Sequence, residues 1–420
     1  MAPLGPFEPR AHLAVAVSGG ADSLACAILA QDWAAARHGK VTGLVVDHGL
    51  RAGSAAEART TAARLQAAGI EAEILTLRGL APGPALAERA RRARHDALEA
   101  ACAGRGILHL LLGHHAADQA ETVALRQLDR SGPAGLAGMA ALTERRHVRL
   151  LRPLLTIAPA DLRAVLRARG LVWIDDPSNS DPHAGRNRLR LLRADADGTG
   201  PATRAAVAAA ILRGHSRAHA ETAAADWLGR FVHLHPEGYA LMPRTPPRPL
   251  ALAHLLRALT GSAYNPATAA VAAWCADPRP ATLAGIRILP AGRLTADAWL
   301  LVREAAAMAP ARTCHPGTTW DRRFRIVAAP NFPSSLTIGP LGAEAPLLRD
   351  HAHLPSAVLQ TLPALRRDGR LFAVPHLGYC DHDDFPTGRP PWQILFDPAT
   401  AAAGAAFFAP EPGDLREGFA

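Results

Sequence analysis

The chain has 420 residues, 49% hydrophobic and 20% charged, the balance of a folded globular protein with room for two or three domains. No apolar run reaches membrane-spanning length, and the opening MAPLGPFEPR lacks the basic-then-apolar order of a leader, so the expectation is a cytoplasmic protein with no membrane partner. Net charge is +9 and Lys40 is the sole lysine; coding bias accounts for the missing lysines, but the arginine excess over 37 acids favours a polyanionic partner such as nucleic acid.

In chain order, apolar runs at 12–17, 41–46, 72–77 and 107–112 alternate with helical spacing near 22–37, 54–68, 84–102 and 117–128. That alternation predicts an α/β doubly wound parallel sheet, with ligands at the carboxyl ends of the strands, where Ser18, Asp47 and His114 fall. RSGPAGLAGM (130–139), RLLRPLL (149–155) and a helix near 159–169 follow. The breaker-rich RADADGTGPATR (193–204) marks a boundary, 205–235 reads as an Ala-rich helix, and 238–305 mixes helix with short strands. A second linker, REAAAMAPARTCHPG (303–317), precedes a small mixed or β-rich tail. The expected domains are 1–200, a helical or mixed 201–309, and 310–420. Five scattered cysteines without CxxC spacing (Cys26, Cys102, Cys275, Cys314, Cys380) read as reduced packing residues, with no zinc or iron–sulfur site.

The first strand stops on SGGADS (18–23). The chain must turn at Gly19 and Gly20 before a helix that Asp22 or Ser23 can cap. Glycine lets a ligand approach the backbone, and a helix start offers N–H groups with partial positive charge. The turn is therefore either an ordinary strand-to-helix junction or an anion site, most simply for phosphate. No lysine follows, which excludes the GxxxxGK[ST] loop.

SGGADS, VDHGLR (46–51), AERARRARHDAL (87–98), GHHAADQAET (113–122), SGPAGLAGM (131–139), RPLL (152–155) and DPSNSDPHAGRNRLR (176–190) occur in one order. Together they resemble the tRNA(Ile)-lysidine synthase family of PP-loop ATP pyrophosphatases. The resemblance implies a two-step ligation of free L-lysine to C2 of the wobble cytidine of an isoleucine tRNA, with ATP as a substrate, Mg²⁺ as cofactor, an adenylated tRNA between the steps, and a homodimer. It implies that Ser18, Gly19, Gly20, Ala21, Asp22 and Ser23 hold pyrophosphate, with Asp22 also catalytic and placing Mg²⁺. Asp47 and His48 would lie by the adenine, or simply end a strand.

Arg91 and Arg94 share a helix face. By resemblance one of them, Arg91 before Arg94, meets the nucleotide phosphates; a solvated basic face is the alternative. His115, Asp118 and Glu121 would receive the lysine ammonium, with Asp118 catalytic, although His115 also suits a packing or capping role. Arg186, Asn187, Arg188 and Arg190 would contact tRNA phosphates and an unstacked anticodon base. His95 stands where relatives usually carry tyrosine, Ala117 where many carry a carboxylate, and Asp129-Arg130 replaces a usual Arg-Gly. Three other functions compete: a tRNA thiolase, which needs cysteines near the site; an ammonia-using ligase; and a non-catalytic nucleotide-binding module.

Overall fold

Leu13, Val15 and Val17 alternate at strand period with Ala14 and Ala16, and the two sets pack into different clusters on opposite faces. That double burial makes β1 (His12–Ala16) a central strand. The computed structural model describes residues 1–49, 53–81, 83–174, 195, 197–327, 332–333, 335–351, 353–381 and 392–411. Around β1 run β2 (Lys40–Asp47), β3 (Glu71–Thr76), β4 (His109–Leu112), β5 (Leu142–Glu144) and β6 (Arg149–Leu151), in the order β3-β2-β1-β4-β6-β5. All neighbours are parallel except the β5–β6 pair.

Helices α1 (Ala21–Ala35), α2 (Ser54–Ala67) and α5 (Pro159–Ala168) bury Leu24, Leu65 and Leu162 against the face bearing Val15. On the other face α3 (Leu86–Gly104) brings Leu98 and Cys102 onto Ala14, Leu44 and Leu110. A further helix, α4 (Ala116–Leu128), starts where β4 ends. After β3 the chain crosses back to lay β4 on the free side of β1, so strand order reverses between β1 and β4. A crevice for a ligand opens at such a switch point, beyond the carboxyl ends of the strands. The doubly wound α/β reading holds, with each strand and helix within a few residues of its expected place.

One local expectation needs correcting. Neither Asp22 nor Ser23 caps α1: the N-cap is Gly20, in extended conformation, and Asp22 sits inside the first turn. The hydroxyl of Ser23 instead donates back to the Gly20 carbonyl (3.0 Å) and accepts from the Ser18 amide (3.1 Å). A cap without a side chain leaves the helix start open to a ligand.

The chain divides into two compact units, Ala220–Ala406 and the remainder, and the division falls within the helix Pro201–Phe231. The first unit takes back part of the tail: Phe407 and Ala409 pack with Ala137, and the Ala141 amide donates to the Phe408 carbonyl at 2.8 Å. Among the described residues the second unit holds antiparallel sheets of five, five and three strands between 233 and 396, with helices Pro249–Thr260 and Thr268–Ala276 on the first. Its buried polar centre is Asp321, 2.6 Å from Arg323 and 3.5 Å from Arg303. Among the described residues no helix is long and apolar enough to cross a membrane.

Gly113, just past β4, is where the two halves of the crevice meet. A Cβ there would lie 2.8 Å from the Asp22 carbonyl oxygen and 2.9 Å from the Ser23 Cα. Backbone, unlike a flexible side-chain tip, has nowhere to go. Gly113→Ala should cost ~1–3 kcal/mol in urea unfolding, whereas Gly104→Ala, with nothing within 4 Å of the new methyl, should cost nothing. Equal stability of the two variants would show that α1 does not rest on this strand end.

Candidate active site

A cleft of about 260 Å³ occupies the switch point, lined by Ser18, Gly20, Asp22 and Ser23 after β1 and by Gly113, His114 and His115 after β4. His48 closes it beyond β2, Arg94 and Leu98 come from α3, and Asp118 comes from α4. The turn into α1 uses Gly19 at a φ of +89°, where a Cβ would also stand 2.5 Å from Thr61 Oγ1. Its carbonyl accepts from the Ile174 amide at 2.9 Å. Positive φ and close packing both demand glycine there.

On the acidic side His115 is the N-cap of α4. Its Nδ1 accepts from the Asp118 amide (3.4 Å), while the Asp118 carboxylate accepts from the His115 amide (3.1 Å), a reciprocal capping box. With Nδ1 accepting, the ring proton sits on Nε2, which faces Asp22 at 3.4 Å and Asp118 at 3.5 Å. One buried imidazole therefore ties the start of α4 to the start of α1 and holds two carboxylates at the cleft.

On the other side Arg94, His48 and His114 line the cleft, and further arginines act on them electrostatically. Burial holds Arg94 below the usual arginine range, with Arg91 adding to it. Arg152, at the end of β6, is lowered to about 10 by burial, then by Arg91 and Arg145. The histidines among them are kept neutral: His114 is lowered to about 4 by burial against the opposing pull of Asp118, with Arg152, Arg94 and Arg91 adding to burial. His95 is likewise lowered to about 4 by burial and the same arginines. His48 is lowered by burial and by Arg94.

Other expected residues lie elsewhere. Asp47 is 6% exposed, and its Oδ1 accepts from Ser54 Oγ (2.6 Å) and the Gly49 amide (3.0 Å), so the carboxylate shapes the turn into α2. Those hydrogen bonds hold it below the usual carboxylate range. Ala21 starts α1 beside the cleft, Arg91 is exposed on α3, and Glu121 is buried further along α4. Arg186, Asn187, Arg188 and Arg190 lie outside the described residues. Sequence reading placed His114 at a strand end facing the ligand side and quoted Arg152 within RPLL, but gave neither a role. It also passed over Gln119, fully buried in α4, which bonds both the amide (2.7 Å) and carbonyl (3.2 Å) of Met139 and so fastens the Gly-rich 131–139 loop. No cysteine lines the cleft; burial pushes Cys26 and Cys102 up to about 12, which removes the reactive thiolate that sulfur transfer needs.

Burial of neutral His95 has a pH signature. The unfolded chain binds this proton near 6.5 and the folded chain only near 4, so the stabilisation is complete above pH 6.5 and is lost as pH falls towards 4. The loss is on the order of 3 kcal/mol. Urea unfolding of His95→Phe between pH 7 and pH 4 should show a drop smaller by about that amount; an unchanged drop would mean that His95 is not buried neutral.

Residues 3–194 match the PP-loop domain family. A tRNA(Ile)-lysidine synthase of Hyphomonas neptunium is 48% identical over 184 residues, covering 42% of this chain and 49% of that one. One from a Bradyrhizobium species is 41% identical over 207 residues, 48% and 58% of the two chains. The chain thus spans about half the length of these two curated relatives. The enzyme of that name from Ruegeria pomeroyi is 34% identical over 333 residues, 76% of this chain. That alignment runs well past the PP-loop domain and covers 77% of the Ruegeria protein, and on it the chain belongs to the tRNA(Ile)-lysidine synthase family.

Proposed function

We propose that the chain ligates L-lysine to C2 of the wobble cytidine of an isoleucine tRNA with a CAU anticodon, consuming ATP. One observation carries the reading: at a single switch-point cleft, an open glycine-capped helix start faces a carboxylate pair on one side and buried arginine on the other. The printed names of the relatives supply the tRNA and the product.

In the first step the C2 oxygen of the base attacks the α-phosphorus of ATP, the bond to the β-phosphate oxygen breaks, and pyrophosphate leaves. Backbone N–H groups of Gly19, Gly20 and Ala21, with the hydroxyls of Ser18 and Ser23, hold the phosphates. Arg91 and Arg94 stabilise charge at the α-phosphate. The strand end at Val46 and His48 borders the adenine. In the second step the bound lysine ammonium loses a proton to solvent, the neutral amine attacks C2, the C2–O bond breaks, AMP leaves, and the new nitrogen gives up a further proton to solvent. Asp118, with Glu121 behind it and His115 fixing its position, takes the lysine ammonium.

Among the described residues no group of three or more His, Cys, Asp or Glu makes a metal cage. The partly exposed Asp22 carboxylate instead suits Mg²⁺, which keeps water and phosphate oxygens as its other ligands. When bound, Mg²⁺ neutralises charge on the departing pyrophosphate. Arg186, Asn187, Arg188 and Arg190 are assigned to phosphates and an unstacked anticodon base, and the tRNA body to exposed Arg230, Arg248 and Arg293 of the long helix and second unit.

Incubation with ATP, Mg²⁺, lysine and CAU-anticodon tRNA should yield lysidine, read by mass spectrometry of the nucleosides. Asp22→Ala should cut pyrophosphate release by roughly 10²-fold or more. Asp118→Asn should spare that release and leave adenylated tRNA accumulating. A sulfur-bearing nucleoside, or no change in the tRNA, would overturn the reading; equal loss of both steps in Asp118→Asn would move Asp118 to the ATP side.

A further inference from the structure

The peptide between Gly19 and Gly20 is the softest joint of the turn that follows β1. Rotating its plane changes only the ψ of Gly19 and the φ of Gly20, and neither residue has a Cβ to block the rotation. One orientation aims the Gly20 amide at a bound anion; the flipped one aims the Gly19 carbonyl there, because the two groups point opposite ways across a trans peptide. Within the turn the Ser18 amide donates to Ser23 Oγ (3.1 Å) and Ser23 Oγ to the Gly20 carbonyl (3.0 Å), and neither bond touches that plane. The Gly19 carbonyl is held from outside the turn, by the Ile174 amide at 2.9 Å. The Ile174 side chain also covers the glycine: a Cβ at Gly19 would stand 3.1 Å from Ile174 Cδ1 and 2.5 Å from Thr61 Oγ1. Gly19 thus presents its carbonyl and Cα to Ile174 and Thr61, while Ser18 and Gly20 on either side of it line the cleft.

Ile174 reaches this place from a firm support. Gly170, at a φ of +65°, turns the chain out of α5, the Leu171 amide donates to the Leu166 carbonyl at 3.0 Å, and Leu171 and Trp173 pack on the core at the α1 face. Alternation along this extended stretch leaves Val172 67% exposed and brings Ile174 to Gly19. Arg169 pairs with Asp32 of α1 at 2.6 Å, which ties the start of the segment to the helix that the turn leads into. We propose that Ile174 is a positioning residue of the cleft: its amide holds the Gly19 carbonyl outward and so aims the Gly20 amide at a phosphoryl oxygen. The ligand chemistry is a polyphosphate, and in naming it the inference rests on the proposed reading of the turn as the ATP site. Ile174 acts through the peptide plane rather than on the ligand. A plane already turned the right way loses no affinity to populating the competent state.

The test measures dissociation constants of pyrophosphate with Mg²⁺ and of adenosine, for the full chain and its variants. Ile174→Pro removes the N–H and should weaken pyrophosphate roughly three- to tenfold, the effect of one such hydrogen bond on the competent population. Adenosine, which carries no phosphate, should bind as it does to the parent. Ile174→Val keeps the amide and should rescue the affinity that Ile174→Pro loses. Val172→Pro places the same ring in the same segment, where among the described residues no backbone carbonyl accepts from the amide, and should bind pyrophosphate as the parent does. If Ile174→Pro does not fold, the parent itself carries the test: by reciprocity, saturating pyrophosphate should slow hydrogen exchange at the Ile174 amide by roughly threefold or more. An unchanged pyrophosphate constant in folded Ile174→Pro, an equal loss for adenosine, an equal loss in Val172→Pro, or exchange at Ile174 indifferent to pyrophosphate would overturn the positioning role. Turnover is not read, so a chain that passes yet modifies no tRNA would contradict only the proposed function, whereas a parent that binds no pyrophosphate would overturn both.

Discussion

The first turn of α1 lies directly on the backbone just past β4, with no side chain between them, and the rest of the site depends on that contact. Gly113 permits it from the strand side and Gly20 leaves the helix start bare from the other. Because the two backbones touch, Asp22 comes within 3.4 Å of His115, and His115 in turn holds Asp118. Strand order supplies the reason for the meeting place: β1 and β4 are neighbours whose connections leave in opposite directions.

Charge is then sorted by element. Carboxylates come from α1 and α4, the lining arginine comes from α3, and His48 and His114 line the same cleft. Burial is the main term that keeps His95 and His114 uncharged, and the arginines reinforce it. A protonated histidine there would add to the positive wall, whereas a neutral ring offers a donor without charge.

Much of this was legible in the sequence because period and punctuation agree. The run LAVAV is apolar at every position and VTGLVV at all but Thr42, which a strand buried on both faces explains, and glycines mark each exit. The readings that sequence left open cluster at strand ends, where one residue decides the face. His114 and His115 are adjacent, and motif reading chose His115 as the ligand. The backbone spends His115 on capping α4 and leaves His114 with an orphaned nitrogen in the cleft. Arg152 escaped for a related reason: RPLL shows a strand terminus, but only the β4–β6 pairing says what stands beside it. The return of Phe407 to Ala409 onto the first unit, through packing on Ala137 and the Leu142–Phe408 bridge, has no sequence period to announce it.

The most direct measurement is a crystal structure of the full chain with Mg²⁺ and an ATP analogue whose α–β bridge cannot be cleaved. The β- and γ-phosphates are expected on the amides of Gly19, Gly20 and Ala21, with adenine at the end of β2 beside His48. Phosphates bound anywhere other than the Ser18–Ser23 turn, or adenine seated outside the switch point between β1 and β4, would contradict the central claim that this helix start is the ATP site.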